Sequence, residues 1–108
     1  MPQPSLNIEV KEFQHNFRIS IYGTLNIINV KTFKDIVFGE SFRTKNMILD
    51  LKGLDYIDSS GIGFIFALIK LQREHGKDIK LDNINLSIQE ILEVSGLLNF
   101  YKEISNAK

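Results

Sequence analysis

Apolar and polar residues alternate twice near the start of the chain. Leu6, Ile8 and Val10 form the first set; Phe17, Ile19 and Ile21 form the second, after a polar break at Gln14-His15-Asn16. A period of two puts each set on one face of an extended chain, so the segment predicts two strands joined as a hairpin. From Asn29 the period changes. Val30, Phe33, Ile36, Val37 and, farther on, Phe42 share a face that Lys31, Lys34 and Asp35 avoid, as in an amphipathic helix. Residues 47–51, Met-Ile-Leu-Asp-Leu, are a nearly continuous apolar run of strand length, as expected of a strand covered on both faces. A strongly apolar helix follows from near Ser60 and ends around His75-Gly76, where glycine permits a left-handed stop. Ile79 and Leu81 alternate with Asp78, Lys80 and Asp82 for a further strand. Ser87-x-x-Glu90 spells a capping box for a helix carrying Ile88, Ile91 and Leu92 and stopping at Gly96, and residues 100–104 read as a last short strand.

Two opening strands followed by alternating helices and strands predict an α/β fold, a mixed β-sheet with helices packed on it. The 108 residues leave room for one core, so residues 1–108 read as a single domain with its ordered core at about residues 6–104. At 44% hydrophobic residues such a core can form. The formal net charge is zero with Lys and Arg scattered, which argues against nucleic acid as a partner and for a protein surface. With no cysteine, disulfides, thiolate catalysis and thiolate metal sites are excluded. Met1-Pro2-Gln3-Pro4-Ser5 lacks the charged and apolar regions of a signal peptide. The apolar run over residues 62–69 is far short of the roughly 20 residues that span a bilayer. No direct membrane insertion and a cytoplasmic location are therefore expected.

Candidate chemistry concentrates at Asp58-Ser59-Ser60-Gly61-Ile62-Gly63. Two hydroxyls and a carboxylate stand there at a predicted helix N-terminus, where the first amides lack intrahelical partners and the macrodipole favours negative charge. A phosphoserine would be tolerated at such a place. The same pattern also serves as a plain cap, with Ser59 or Ser60 as the capping residue and Asp58 adding favourable charge. In the helix that follows, Phe64, Leu68 and Leu71 project to one side and Ile62, Ile65, Phe66 and Ile69 to the other. One face can lie on the sheet; the other needs a cover, either a helix of the same chain or a partner protein. Gly61 and Gly63 would allow close backbone packing at the helix start, but the pair lacks the rest of a nucleotide-binding fingerprint. His15 and His75 fall in a turn and at a helix end, outside any base–nucleophile arrangement. Asp55 and Asp58 lack the earlier acidic pair of a phospho-acceptor receiver. No catalytic residue, cofactor or metal site is expected.

Leu54-Asp55-Tyr56-Ile57-Asp58-Ser59-Ser60-Gly61-Ile62-Gly63 resembles the signature of the STAS domain, in particular of the small bacterial anti-sigma factor antagonists. Gly23-Thr24-Leu25-Asn26 stands where that family has G-x-L-D, and Ser95-Gly96-Leu97 where it has an S-G-L segment. The resemblance implies a STAS-like mixed sheet. It implies, too, a binding module that captures an ATP-binding anti-sigma factor serine kinase when unphosphorylated and is released on phosphorylation at Ser59, with a serine phosphatase to reset it. Ser60 is the adjacent candidate. Asn26, Asp58, Ser59, Ser60, Gly61, Ile62 and Phe64 are the implied partner-binding residues. Asn26 departs from the family aspartate, keeping its hydrogen bonding but not its charge. The alternative is a docking subunit that does not switch, such as the STAS component of a membrane lipid-transport ATPase.

Overall fold

The computed structural model describes residues 5–38 and 45–106. The hairpin forms: β1 (Leu6–Glu12) and β2 (Asn16–Leu25) run antiparallel, with Leu6 opposite Gly23 and Glu12 opposite Phe17. Helix α1 (Val30–Val37) leads toward β3 (Asn46–Ile57), and α2 (Ser59–Glu74) joins β3 to β4 (Ile79–Asp82). Helices α3 (Leu86–Val94) and α4 (Leu97–Asn106) follow. The four-stranded sheet has the order β1-β2-β3-β4, and both β2–β3 and β3–β4 are parallel. Each parallel step therefore has a helix in its crossover, as parallel neighbours require. Phe42, read above as part of the α1 face, lies outside the described residues.

All four helices cover one face of the sheet. Phe17, Ile19 and Ile21 of β2, Met47, Leu49 and Leu51 of β3, and Ile79 and Leu81 of β4 are buried, and all but Phe17 share one core cluster with Phe33, Leu68, Ile88 and Leu97 from the helices. The expectation that residues 47–51 are covered on both faces is corrected. Met47, Leu49 and Leu51 are buried, but Ile48 and Asp50 point to the opposite face and are only half-buried. Ile48 sits between Arg18 on β2 and Lys80 on β4, long polar side chains rather than a second layer of helices. A one-sided sheet with an apolar residue in its central outer row imitates a doubly covered strand in sequence. Strand β3 itself runs six residues beyond the predicted run, to Ile57.

The second apolar face of α2 is covered by the chain itself. Phe64 meets Phe33 and Phe38 edge-on, at ring-centroid distances of 5.0 and 5.4 Å, on the α1 side. Phe66 meets Phe100 of α4 at 4.9 Å on the other. Ile65, Leu68 and Ile69 between them are fully buried. The strand predicted over residues 100–104 is therefore a helix. Gly96, at φ +84°, stops α3 and redirects the chain, and Leu97, Leu98 and Tyr101 then pack inward at helical spacing. The capping box predicted at Ser87 is also corrected. The cap of α3 is Asn85, whose Oδ1 accepts from the Ile88 amide at 3.0 Å while its Nδ2 donates to the Leu54 carbonyl at 2.8 Å. One side chain thus starts the helix and ties it to β3, which Ser87, exposed inside the first turn, cannot do.

Candidate functional site

The site is built where β2 and β3 end side by side. Register shifts between Ser20 and Tyr22 and between Gly23 and Thr24 bring Leu25 opposite Ile57, and the Asp58 amide donates to the Leu25 carbonyl at 3.1 Å. The two chains leave the sheet together, β2 into the turn before α1 and β3 into α2. Asp58, in extended conformation, is the N-cap of α2, so neither serine is. Its Oδ1 accepts from the Ser60 amide at 2.9 Å and the Gly61 amide at 3.1 Å, and its Oδ2 accepts from the Ile27 amide at 3.0 Å. Its carbonyl accepts from the Ile62 amide at 3.0 Å. A carboxylate suits the partial positive charge of a helix start better than a hydroxyl would, and its second oxygen reaches the neighbouring turn.

That turn is held by two asparagines. Asn26 Oδ1 accepts from the Ile28 amide at 2.9 Å and the Asn29 amide at 3.1 Å; in return Asn29 Oδ1 accepts from the Asn26 amide at 2.9 Å, and Asn29 Nδ2 donates to the Thr24 carbonyl at 2.8 Å. The backbone amides are thereby satisfied and the side chains between them turn outward. Ile27 is 67% and Ile28 85% exposed, which no hydrophobic driving force within the chain explains.

Of the residues singled out by sequence, Asn26, Asp58, Ser59 and Ser60 come together at this corner. Ser59 is the first residue of α2; it is exposed, and among the described residues its hydroxyl has no hydrogen-bond partner. Gly61 is buried, and a Cβ there would stand 2.7 Å from Ile57 Cγ1 and 2.9 Å from Leu25 Cγ. Phe64 is buried against α1. These two hold the corner from beneath. Ile62 turns away toward α3, lining an apolar groove of about 430 Å³ with Ile91 and Val94. The expectation of close packing at Gly63 is corrected: a Cβ there meets nothing within 4 Å. Gly63 instead borders a second groove, of about 380 Å³, between α1 and the start of α2, where Lys34, Ser59 and Ser60 also lie.

Sequence reasoning missed Ile27 and Ile28. Two consecutive apolar residues inside the Asn26–Asn29 segment were the available signal, since asparagines at both ends of a turn leave its middle facing solvent. It also missed an ionic cluster on the open sheet face. Arg18 Nη2 donates to Asp50 Oδ2 at 2.8 Å and to Asp82 Oδ2 at 3.0 Å, and Asn83 Nδ2 donates to Asp50 Oδ1 at 3.2 Å. Burial alone would raise the Asp50 carboxyl; the Lys52 amide, the Arg18 guanidinium and the Asn83 amide outweigh it and hold the group below its ordinary value. The cluster clamps three strands. His75 is exposed, its Nδ1 2.8 Å from the Leu71 carbonyl oxygen at the end of α2. Among the described residues no group of His, Asp and Glu could hold a metal ion, and no helix is long and apolar enough to cross a membrane.

Comparison with known proteins identifies the family and the fold. The STAS domain family model matches residues 7–107. The anti-sigma-B factor antagonist of Bacillus subtilis is 20% identical over 93 residues, which are 86% of this chain and 85% of that protein. Among solved structures, an anti-sigma factor antagonist from Mycobacterium paratuberculosis superposes with a TM-score of 0.82 at 11% identity, over 93% of this chain and 86% of the other. The Bacillus cell fate determinant SpoIIAA in its phosphorylated form superposes at 0.68 and 18% identity, over 88% and 86%. The fold is that of the anti-sigma factor antagonists.

Proposed function

Because the chain belongs to the STAS domain family, we propose that it is an anti-sigma factor antagonist working by partner switching in the cytoplasm. Like the antagonists it resembles, it is a binding protein and not an enzyme. Unphosphorylated, it binds an anti-sigma factor that is also an ATP-dependent serine kinase. Phosphorylated at Ser59, it lets go, and a serine phosphatase resets it.

The observation that carries this reading is the exposed Ser59 hydroxyl on the first residue of α2, without a hydrogen-bond partner among the described residues, at the corner that also presents Ile27 and Ile28. Exposed apolar side chains on a well-bonded turn supply area that a partner can bury without reordering the turn. A phosphate at that corner adds a charge of about −1.5 to −2, which the partner would have to desolvate or repel. A loss of about 1.4 kcal/mol weakens a complex tenfold, so one modification suffices to switch an interface centred here. The docking surface is Asn26, Ile27, Ile28, Asp58, Ser59 and Ser60, with Ile62 on the α3 side and Gly61 and Phe64 as its support. A relative known in a phosphorylated form on the same fold supports a switch that leaves the domain folded.

The test is capture of partners from native cytoplasm with wild type, Ser59→Ala and Ser59→Asp in parallel, reading bound proteins and Ser59 phosphate by mass spectrometry. Wild type and Ser59→Ala should retain an ATP-binding serine kinase that Ser59→Asp loses, and phosphate should be found on wild-type Ser59. A partner held equally by all three, with no phosphate, would replace the switch with constitutive docking.

A further inference from the structure

Resting on Ser59 as the phosphorylated residue, we propose that the phosphate is received by Lys34 of α1, across the groove between α1 and α2, and not by the amides at the start of α2. The amides of Ser60, Gly61 and Ile62 are already taken. Asp58 accepts from Ser60 and Gly61 through its carboxylate and from Ile62 through its carbonyl. A phosphate on Ser59 would stand beside this carboxylate, a like charge that turns it away from the helix axis. Neither the turn Asn26–Asn29 nor the start of α2 offers a cation.

The groove of about 380 Å³ has Ser59 and Ser60 at one end and Lys34 on the α1 wall, and among the described residues lining it Lys34 is the one that is charged. The Lys34 Nζ lies 5.7 Å from the Phe64 ring centroid, and among the described residues no carboxylate pairs with it. Ser59 precedes Phe64 by five positions, about 7.5 Å along a helix axis. A four-carbon stem with three rotatable donors at its tip suits a swing of that kind, exchanging a cation–π contact for a charge-assisted pair with phosphate. The phosphate then bridges α2 to α1 and closes the groove with a polar clasp over Gly63, whose missing side chain leaves the space open. Phosphorylation on this account fills a groove as well as charging a surface.

The test uses the full chain with phosphoserine encoded at Ser59, so that the group is present whatever the kinase does. The second ionisation of the phosphate is followed by phosphorus NMR in the Lys34 protein, in Lys34→Gln and in Lys31→Gln. Lys31 is exposed on the same helix and does not line the groove. Asp58, the cap of α2 and the neighbour of Ser59, and Asp35, the neighbour of Lys34 in α1, are carboxylates common to all three proteins. The midpoint should rise by roughly half a unit or more in Lys34→Gln, because a neighbouring ammonium favours the dianion, and stay in place in Lys31→Gln. Equal midpoints for Lys34 and Lys34→Gln, or an equal rise in both variants, would overturn the contact. Absence of phosphate on Ser59 in cells would instead sink the switch itself, a separate result.

Discussion

The Asp58 carboxylate accepts a hydrogen bond from the Ile27 amide, 31 residues earlier in the chain, at 3.0 Å. With its other oxygen capping α2, Asp58 fixes the position of the exposed apolar turn relative to Ser59. Replacing it with alanine should remove the cap, at about 1–2 kcal/mol, and release the turn as well. Asp58→Asn keeps an acceptor and should fall between. Urea denaturation gives the first effect, and amide exchange at Ile27, Ser60 and Gly61 gives the second. Unchanged protection at Ile27 in Asp58→Ala would mean that the turn holds itself.

The two glycines of the motif should respond in opposite directions to alanine. Gly61→Ala drives a Cβ into Ile57 and Leu25, at 2.7 and 2.9 Å, and overpacking of this kind costs about 1–3 kcal/mol. Gly63→Ala meets open space and should stabilise the helix by about 0.5–1 kcal/mol. Thermal or urea unfolding of both variants decides it. A destabilising Gly63→Ala would show that the glycine serves the domain's own fold.

What the sequence made legible was whatever local period or local chemistry decides. The alternation of Leu6, Ile8 and Val10 against Phe17, Ile19 and Ile21 became the hairpin, and Gly96 became a helix stop. What it hid was decided at a distance. Asn85 outcompetes Ser87 as a cap because the Leu54 carbonyl, 31 residues away, takes its other end. Asp58 outcompetes the serines because Ile27 needs its second oxygen. Residues 100–104 read as a short strand, yet the space left for them is a slot beside Phe66, which a helix fills. Asp50 read as an interruption in an apolar run, whereas its partners Arg18 and Asp82 lie 32 residues away on each side.

Asn26 stands where the family has aspartate, and its Oδ1 already does what a carboxylate oxygen would do, accepting from the Ile28 and Asn29 amides. Asn26→Asp should therefore keep the turn and, with negative charge ahead of α1, match wild type or gain about 0.3–1 kcal/mol. Asn26→Ala should lose about 1 kcal/mol. Denaturant midpoints compare the three proteins, and a loss in Asn26→Asp as large as in Asn26→Ala would show that the amide nitrogen is required.

The Arg18–Asp50 pair should give the fold an acid-side dependence. The folded Asp50 carboxyl is held below its ordinary value, net of burial, by Lys52, Arg18 and Asn83, so at low pH the unfolded chain binds the extra proton. The stabilisation is complete above the unfolded value of about 3.9 and is lost as pH falls through it toward the folded value. The Asp50 and Arg18 side chains are 14% and 28% exposed, intermediate between a surface pair and a buried one. At neutral pH, Asp50→Asn should accordingly cost about 1–2 kcal/mol. Between roughly pH 5 and pH 3 the wild type should lose stability faster than Asp50→Asn, and the two curves should converge as acid removes the charge that the variant lacks. Urea unfolding across that range makes the comparison, and curves that stay parallel would place the acid dependence of the fold elsewhere.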